Sequence, residues 1–382
     1  MKNVFQPILL CLSICLLYLL CWPVPIDPVA WDSPPPPPME GVYTENSYLS
    51  GIVRVGSITG PEDIALSSNH DIYAAGQDGR ILRYDSVSTF SFEKLIRATQ
   101  YSQYRIYGEF FYNTKGRPLG MTFDANDNLV VADAVKGLIA INKEGIANTL
   151  SIKSDSDGIP LGFTDDLDIA GDGKIYFSDA SSVYGIGEEK LDLMEHRPHG
   201  RLLVYDPATN KTTTLMNNLY FANGVAVSPD DSFVLLNETY MYRIHKYWLK
   251  GEKAGTSEII IDNLPGFPDN ISSNGEGIYW VALFTLRNDF IDSTTNKPFL
   301  RKMTLRLPEF LQPQPEPYAL VLGIDENGKV LHNLQYGADD AYSPITSVKQ
   351  LGSRLYFGSL TAEGFGISKA PELSTPYSNP KD

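Results

Sequence analysis

The sequence predicts an all-β fold, a six-bladed β-propeller preceded by a single N-terminal transmembrane helix. Three observations predict it. Six segments (63–75, 120–132, 166–178, 224–236, 270–282 and 345–358) share one order: an apolar pair, a turn, then an apolar-aromatic strand. Turn dipeptides such as Asp78-Gly79, Asp172-Gly173, Asn274-Gly275 and Asn327-Gly328 punctuate the chain, and no long amphipathic helix follows Gly51. Third, the run from Val4 to Ile26 is almost wholly apolar.

The N-terminal run comes first. A bilayer core takes roughly 20 apolar helical residues. Lys2 precedes the run, and no small-x-small cleavage site follows it, since Cys21-Trp22-Pro23-Val24-Pro25 is a poor one. Residues 1–26 are therefore expected to be an uncleaved signal-anchor. The N-terminus would then be cytoplasmic and the propeller extracytoplasmic, whether periplasmic, lumenal or extracellular. Residues 27–50 read as a proline-rich linker, because Pro34 to Pro38 favour an extended polyproline II spacer.

The propeller is placed at 51–370 and a C-terminal tail at 371–382. The central strand of each repeat is plain: Ile72-Tyr73-Ala74, Leu129-Val130-Val131, Ile175-Tyr176-Phe177, Phe233-Val234-Leu235, Ile278-Tyr279-Trp280 and Leu355-Tyr356-Phe357. Their spacing suits four strands per unit, and six such units close into a ring. A pair of β-sandwiches would account for the strands but not for the sixfold recurrence. Residues 51–58 are expected to complete the last blade, which would hide an open edge. Residues 289–317 form an insertion between the fifth and sixth repeats.

Composition excludes several functions. Net charge is -15, with no run of Lys and Arg to draw nucleic-acid phosphates. The only cysteines are Cys11, Cys15 and Cys21, so the propeller has neither a disulfide nor a thiolate zinc site.

Phase points to a site. Glu62, Leu119, Asp165 and Asn223 each stand 11 residues before the central tyrosine or valine of their repeat, and Asp269 and Thr346 stand 10 before theirs. The innermost strands of a propeller line its channel, so these positions should ring one end of it: Glu62, Leu119, Asp165, Asn223, Asp269-Asn270 and Thr346. Carboxylate and amide oxygens without His or Cys are hard donors that suit Ca²⁺ before Mg²⁺. Each alone would be an ordinary turn residue; the shared phase is what nominates Glu62, Asp165, Asn223, Asp269 and Asn270 as metal ligands.

The same stretches carry a family likeness. Gly116-Arg117-Pro118-Leu119-Gly120, Ile175-Tyr176-Phe177-Ser178-Asp179, Phe221-Ala222-Asn223-Gly224 and Phe267-Pro268-Asp269-Asn270 resemble the strictosidine synthase-like and adipocyte plasma membrane-associated protein family, and more distantly paraoxonases and gluconolactonases. The resemblance implies a calcium at the channel mouth. It also implies a second, inner calcium on Asp63, Asp166 and the Met121 carbonyl. Asp165 stands where relatives carry Asn. Two departures narrow the chemistry. Leu119 stands where paraoxonases have a catalytic His, and Thr346 where strictosidine synthase uses a Glu, with no Glu between Asp340 and Glu363, which argues against that condensation.

The resulting expectation is a membrane-anchored, calcium-dependent esterase or lactonase-like hydrolase, an arylesterase in substrate class. Calcium would polarise a small-molecule ester or lactone carbonyl, with Asp269, or else Asp165, as general base or nucleophile. The alternative is a non-catalytic or weakly active, calcium-stabilised binding or scaffold propeller. A sugar-acid lactonase with a small polar pocket is a third.

Overall fold

Each of the six recurring segments becomes the first two strands of a four-stranded antiparallel sheet, and the six sheets are the blades of a propeller. The computed structural model describes residues 2–85, 87–100 and 106–372. Blade 1 is Ile64–Leu66, Ile72–Ala75, Arg80–Tyr84 and Glu109–Asn113; blade 2 is Pro118–Phe123, Leu129–Asp133, Gly137–Ile141 and Ala147–Ser151. Blade 3 is Thr164–Ile169, Ile175–Asp179, Gly200–Asp206 and Lys211–Leu219; blade 4 is Ala222–Val227, Phe233–Glu238, Arg243–Trp248 and Ser257–Ile261. Blade 5 is Gly266–Ser273, Tyr279–Leu286, Ala319–Ile324 and Val330–Tyr336. Blade 6 takes Val348–Leu351, Arg354–Phe357 and Glu363–Lys369 from the end of the chain and Val53–Thr59 from before blade 1. Val53 pairs with Ile367 and Val55 with Phe365, so an early strand closes the ring and covers the last edge.

The core lies between blades. Val130 and Ala132 of blade 2 pack with Leu167, Ile175, Phe177 and Leu203 of blade 3. Val225, Val234 and Leu236 of blade 4 pack with Tyr176 and Leu202 of blade 3. A strand between two such layers is apolar on both faces, which is why every residue of Phe233–Glu238 is buried. Each large side chain so buried contributes roughly 1.5–3 kcal/mol.

Three blades use the same acidic latch. The second strand ends in Asp133, Asp179 or Glu238. Each carboxylate accepts a backbone N–H from the segment entering its own blade: Arg117 at 3.1 Å, Phe163 at 2.8 Å and Tyr220 at 2.9 Å. Asp179 also accepts Gly162 N at 2.9 Å and pairs with the Arg201 guanidinium at 2.5 Å. Glu238 pairs with Arg243 and His245, both at 2.5 Å. Each latch fixes where the innermost strand starts.

Among the described residues there are five α-helices: α1 (Lys2–Cys21), α2 (Phe92–Gln100), α3 (Glu189–Glu195), α4 (Asp289–Thr294) and α5 (Pro298–Leu305). The expectation of a membrane-spanning anchor is corrected here. Among the described residues, no helix is long and apolar enough to cross a membrane. Pro7 lies inside α1 and lacks an N–H for its ladder. From Pro7 to Cys21 an α-helix rises roughly 22 Å, against a hydrocarbon core of about 30 Å. The far end of α1 is held by the propeller, since the Arg306 guanidinium donates to the carbonyls of Leu19 at 2.8 Å and Trp22 at 2.6 Å. The single-pass topology, the membrane as a partner and the extracytoplasmic placement of the propeller lose their basis with it.

The next residues lie against the propeller. Asp27 N donates to Glu195 Oε1 at 2.7 Å, Val29 N to the Glu195 carbonyl at 2.9 Å, and Trp31 N to the Thr295 carbonyl at 3.2 Å. Arg287 donates to Ser33 Oγ at 2.7 Å and to the Pro34 carbonyl at 2.6 Å. Arg301 reaches the carbonyls of Val29 and Met194. The insertion thus folds into α4 and α5, and Arg287 before α4, Arg301 within α5 and Arg306 just after it strap residues 19–34 across one end of the propeller. Of the tail 371–382, residues 373–382 lie outside the described residues.

Candidate functional site

Glu62, Asp165, Asn223, Asp269 and Asn270 come together where the innermost strands begin, and all five are buried, between 2% and 6% exposed. The backbone explains how they are aimed. In blades 2 to 5 the pairing of the first two strands slips between Pro118 and Met121, Thr164 and Leu167, Ala222 and Val225, and Pro268 and Ile271. Those breaks contain Leu119, Asp165 with Asp166, Asn223, and Asp269 with Asn270. A bulge re-aims side chains that regular alternation would send to opposite faces.

The blades are tied at this level. Asn270 Nδ2 donates to Glu62 Oε1 at 3.1 Å and Asn270 N to the Thr346 carbonyl at 3.0 Å. Thr346 Oγ1 and Ser347 Oγ donate to the Glu62 carbonyl at 2.9 and 2.8 Å. Asn237 Nδ2 and Thr239 Oγ1 donate to the carbonyls of Asp269 and Pro268 at 2.5 and 2.7 Å. Gly358 must be glycine, because a β-carbon there would overlap the Glu62 carbonyl oxygen.

The acids crowd one another. Burial pushes Glu62, Asp165 and Asp269 well above the ordinary carboxylate range. The charges of Asp63 and Asp165 act further on Glu62, that of Asp269 on Asp165, and that of Glu62 on Asp269. Arg117 opposes this. It is buried, donates to the Gly60 carbonyl at 3.1 Å, and its charge favours ionised Glu62 and Asp165. Sequence reading passed over Arg117 because it stands two residues before the ring position in its blade.

Among the described residues, no group of three or more His, Cys, Asp or Glu side chains could hold a metal ion. Together with the missing membrane helix, this overturns the expectation of a membrane-anchored, metal-driven hydrolase. The reason lies in the donor set. The buried oxygens left without a partner at the mouth are Glu62 Oε2, Asn223 Oδ1 and Asn270 Oδ1, one carboxylate and two amides. Three unpartnered buried oxygens still fit a hard cation such as calcium, because leaving such atoms unpaired is costly.

The inner set behaves differently. Asp63 Oδ2 accepts Met121 N at 2.8 Å, joining blades 1 and 2, and Asp166 Oδ2 accepts Val225 N at 2.8 Å, joining blades 3 and 4. Gly120 passes so close that a β-carbon would overlap the Asp166 carboxylate. Lys349 Nζ donates to Asp63 Oδ2 and to the Met121 carbonyl, each at 2.6 Å.

Above the mouth sits an apolar tier. Leu119, Phe163, Phe221, Tyr240 and Phe267 belong to one buried cluster, with Phe163 and Phe221 edge to face at 5.5 Å and Phe221 stacked on Tyr240 at 4.6 Å. The Tyr240 hydroxyl donates to the Glu189 carbonyl of α3 at 3.0 Å. Trp31 packs on this cluster and stacks on His196 at 4.4 Å, and His196 stacks on Tyr220 at 4.5 Å. Burial holds the His196 imidazole down at about 3, so it stays neutral.

Asp192 of α3 is buried, and burial raises its carboxyl to about 7, against a lowering hydrogen bond from Ser181. A raised folded value means that the fold binds the protonated form better. The contribution of Asp192 to stability is therefore full near pH 4, falls as pH rises to about 7 and is level above that. Asp192→Asn should match wild type near pH 4 and exceed it increasingly up to pH 7, by at most about 4 kcal/mol. Melting midpoints across that range check it; a gap independent of pH would exclude Asp192 as its source.

A family model described as strictosidine synthase matches residues 165–252, and one described as strictosidine synthase-like, N-terminal, matches residues 41–84. Strictosidine synthase-like protein 3 of Arabidopsis thaliana is 35% identical over 334 residues, covering 84% of this chain and 85% of that protein. The chain belongs to the strictosidine synthase-like family. Within the family it is also similar to adipocyte plasma membrane-associated protein of Rattus norvegicus, 32% identical over 346 residues, which cover 88% of this chain and 90% of that protein. Among solved structures the family fold seen here resembles a gluconolactonase from Xanthomonas campestris, with TM-score 0.57, 16% identity and 91% and 99% of the two chains covered. It also resembles a calcium-binding regucalcin from Agrobacterium tumefaciens, with TM-score 0.50, 12% identity and 82% and 93% covered. At those identities the likeness speaks for the fold.

Proposed function

We propose that this member of the family is a binding propeller stabilised by calcium at its channel mouth, with weak or no hydrolase activity. The observation that carries the reading is burial. The five ring residues are almost inaccessible, and the Phe163–Phe221–Tyr240 tier, α3 and the Trp31 strap lie over them. An ester or lactone would have to displace that cover to bring its carbonyl to the ring. The side chains that carry chemistry in related propellers are replaced, and Thr346 already donates to the Glu62 carbonyl.

Glu62, Asn223 and Asn270 would hold the ion with their unpartnered oxygens, and Asp165 and Asp269 would face it with their charge. A calcium there would supply the positive charge against which Glu62, Asp165 and Asp269 ionise together. Asp269, the residue first nominated as general base or nucleophile, is then a ligand and not a catalyst.

Purified protein should contain calcium by elemental analysis, and a chelator should lower its melting midpoint by several degrees. Turnover of a panel of aryl esters and lactones should stay near the uncatalysed rate with or without chelator. Rapid turnover abolished by chelation and restored by calcium would overturn the reading in favour of a hydrolase.

A further inference from the structure

We propose that Lys349 is a built-in cation: its ammonium bridges Asp63 and the Met121 carbonyl in the position a second, inner divalent cation would need. The inner calcium implied by the family likeness rests on Asp63, Asp166 and Met121. The residues present do not fit it. Lys349, from the innermost strand Val348–Leu351 of blade 6, places Nζ 2.6 Å from both Asp63 Oδ2 and the Met121 carbonyl oxygen. The third member is already engaged, since Asp166 Oδ1 accepts Leu167 N and Oδ2 accepts Val225 N, each at 2.8 Å, which fixes the carboxylate between blades 3 and 4. A divalent ion and an ammonium cannot share two ligands at these distances.

The chemistry of the exchange is consistent. The ammonium lies directly on the Asp63 carboxylate, and Asp166 and Asp168 line the same cavity. One side chain thus ties blade 6 to blades 1 and 2, where a metal would tie blades through solvent-supplied charge. Lys349 also lines a channel cavity of about 180 Å³ with Asp63, Asp166 and Asp168, which leaves room for a hydrated ion once the lysine stem is removed. This half of the channel is then independent of calcium supply and insensitive to chelators.

The inference does not rest on calcium at the mouth, and the test separates the two. Protein stripped with chelator and dialysed is titrated with calcium by calorimetry, and the ions per chain are counted independently by elemental analysis. Wild type should bind one calcium per chain, and Lys349→Ala one more than wild type. Calcium should raise the melting midpoint of Lys349→Ala by more degrees than that of wild type. Lys349→Arg, which keeps the positive charge, should bind the wild-type number. Two calcium ions on wild type would overturn the inference. So would a Lys349→Ala protein that is folded, with native circular dichroism, and takes up no additional ion. If Lys349→Ala does not fold, the counts on wild type and Lys349→Arg decide: one ion or none on both supports it, and two on either overturns it. No calcium on wild type would remove the mouth site and leave the lysine assignment standing.

Discussion

Asp179→Ala should destabilise the propeller by about 3–5 kcal/mol, the cost of leaving a buried charge without its partner. Arg201 and Asp179 are both almost fully enclosed, with side chains 4% and 0% exposed. The guanidinium has further acceptors in the carbonyls of Pro160 at 2.7 Å and Ile159 at 3.4 Å, and its other carboxylate, Asp157, is partly exposed and stands farther off at 3.6 Å. Removing the Asp179 carboxylate also strands the N–H groups of Gly162 and Phe163. Those amides set the entry of the innermost strand of blade 3, which carries Asp165, so the damage would extend to the ring. A fall of roughly 10 °C in melting midpoint is expected. Asp179→Asn should cost less, because an amide oxygen can still accept from both N–H groups. Adding Arg201→Met to Asp179→Asn should recover part of the loss, since the buried charge goes with its partner. A fall of under 2 °C for Asp179→Ala would show that the latch does not govern stability.

The latch also marks how far the sequence could be read. Repeats roughly 45 to 60 residues apart, with a longer last interval that holds the insertion and a Tyr or Val at each centre, displayed the six blades, because a strand buried on both faces must be largely apolar along its length. The ring was legible in outline because every blade places its ring position 10 or 11 residues before that centre. What phase counting could not convey is direction. The bulges that turn Asp269 and Asn270 inward leave no mark in residue type, and neither does the approach of Gly358 to the Glu62 carbonyl. Asp133, Asp179 and Glu238 recur at the ends of second strands, and that regularity could have been noticed. Lys349 could not, because its partners come from blades 1 and 2, far away in sequence. The proline run carries contacts that its composition does not announce. Polyproline II has no internal hydrogen bonds, so its carbonyls are free to accept from Arg287 and Asn263. The apolar N-terminal run read as a bilayer span because length and hydropathy were the only criteria available; the grip of Arg306 on its end appears only in three dimensions.

Asp269→Asn should change sign with calcium. Without the ion, Asp269 is a buried carboxylate facing Glu62, with Asn223 as its hydrogen-bonding relief. The isosteric amide removes the repulsion and the cost of burying a second negative charge, so the variant should be more stable than wild type in chelator. With the ion present, the same carboxylate is charge held against a cation. Its loss should weaken calcium binding at least tenfold, or about 1.4 kcal/mol. The stability that calcium confers grows with the ratio of its concentration to Kd, so the variant gains less from the same calcium than wild type does. Wild type should therefore overtake the variant as calcium is raised, and the two melting curves should cross at a definite concentration. Asn223→Asp would move the other way, with more destabilisation in chelator and tighter binding in calcium. A structural salt bridge or a turn-capping acid would give the same sign in both conditions. Parallel behaviour of Asp269→Asn and wild type across the calcium series would remove Asp269 from the ligand set, and with it the reading of the mouth as a cation platform.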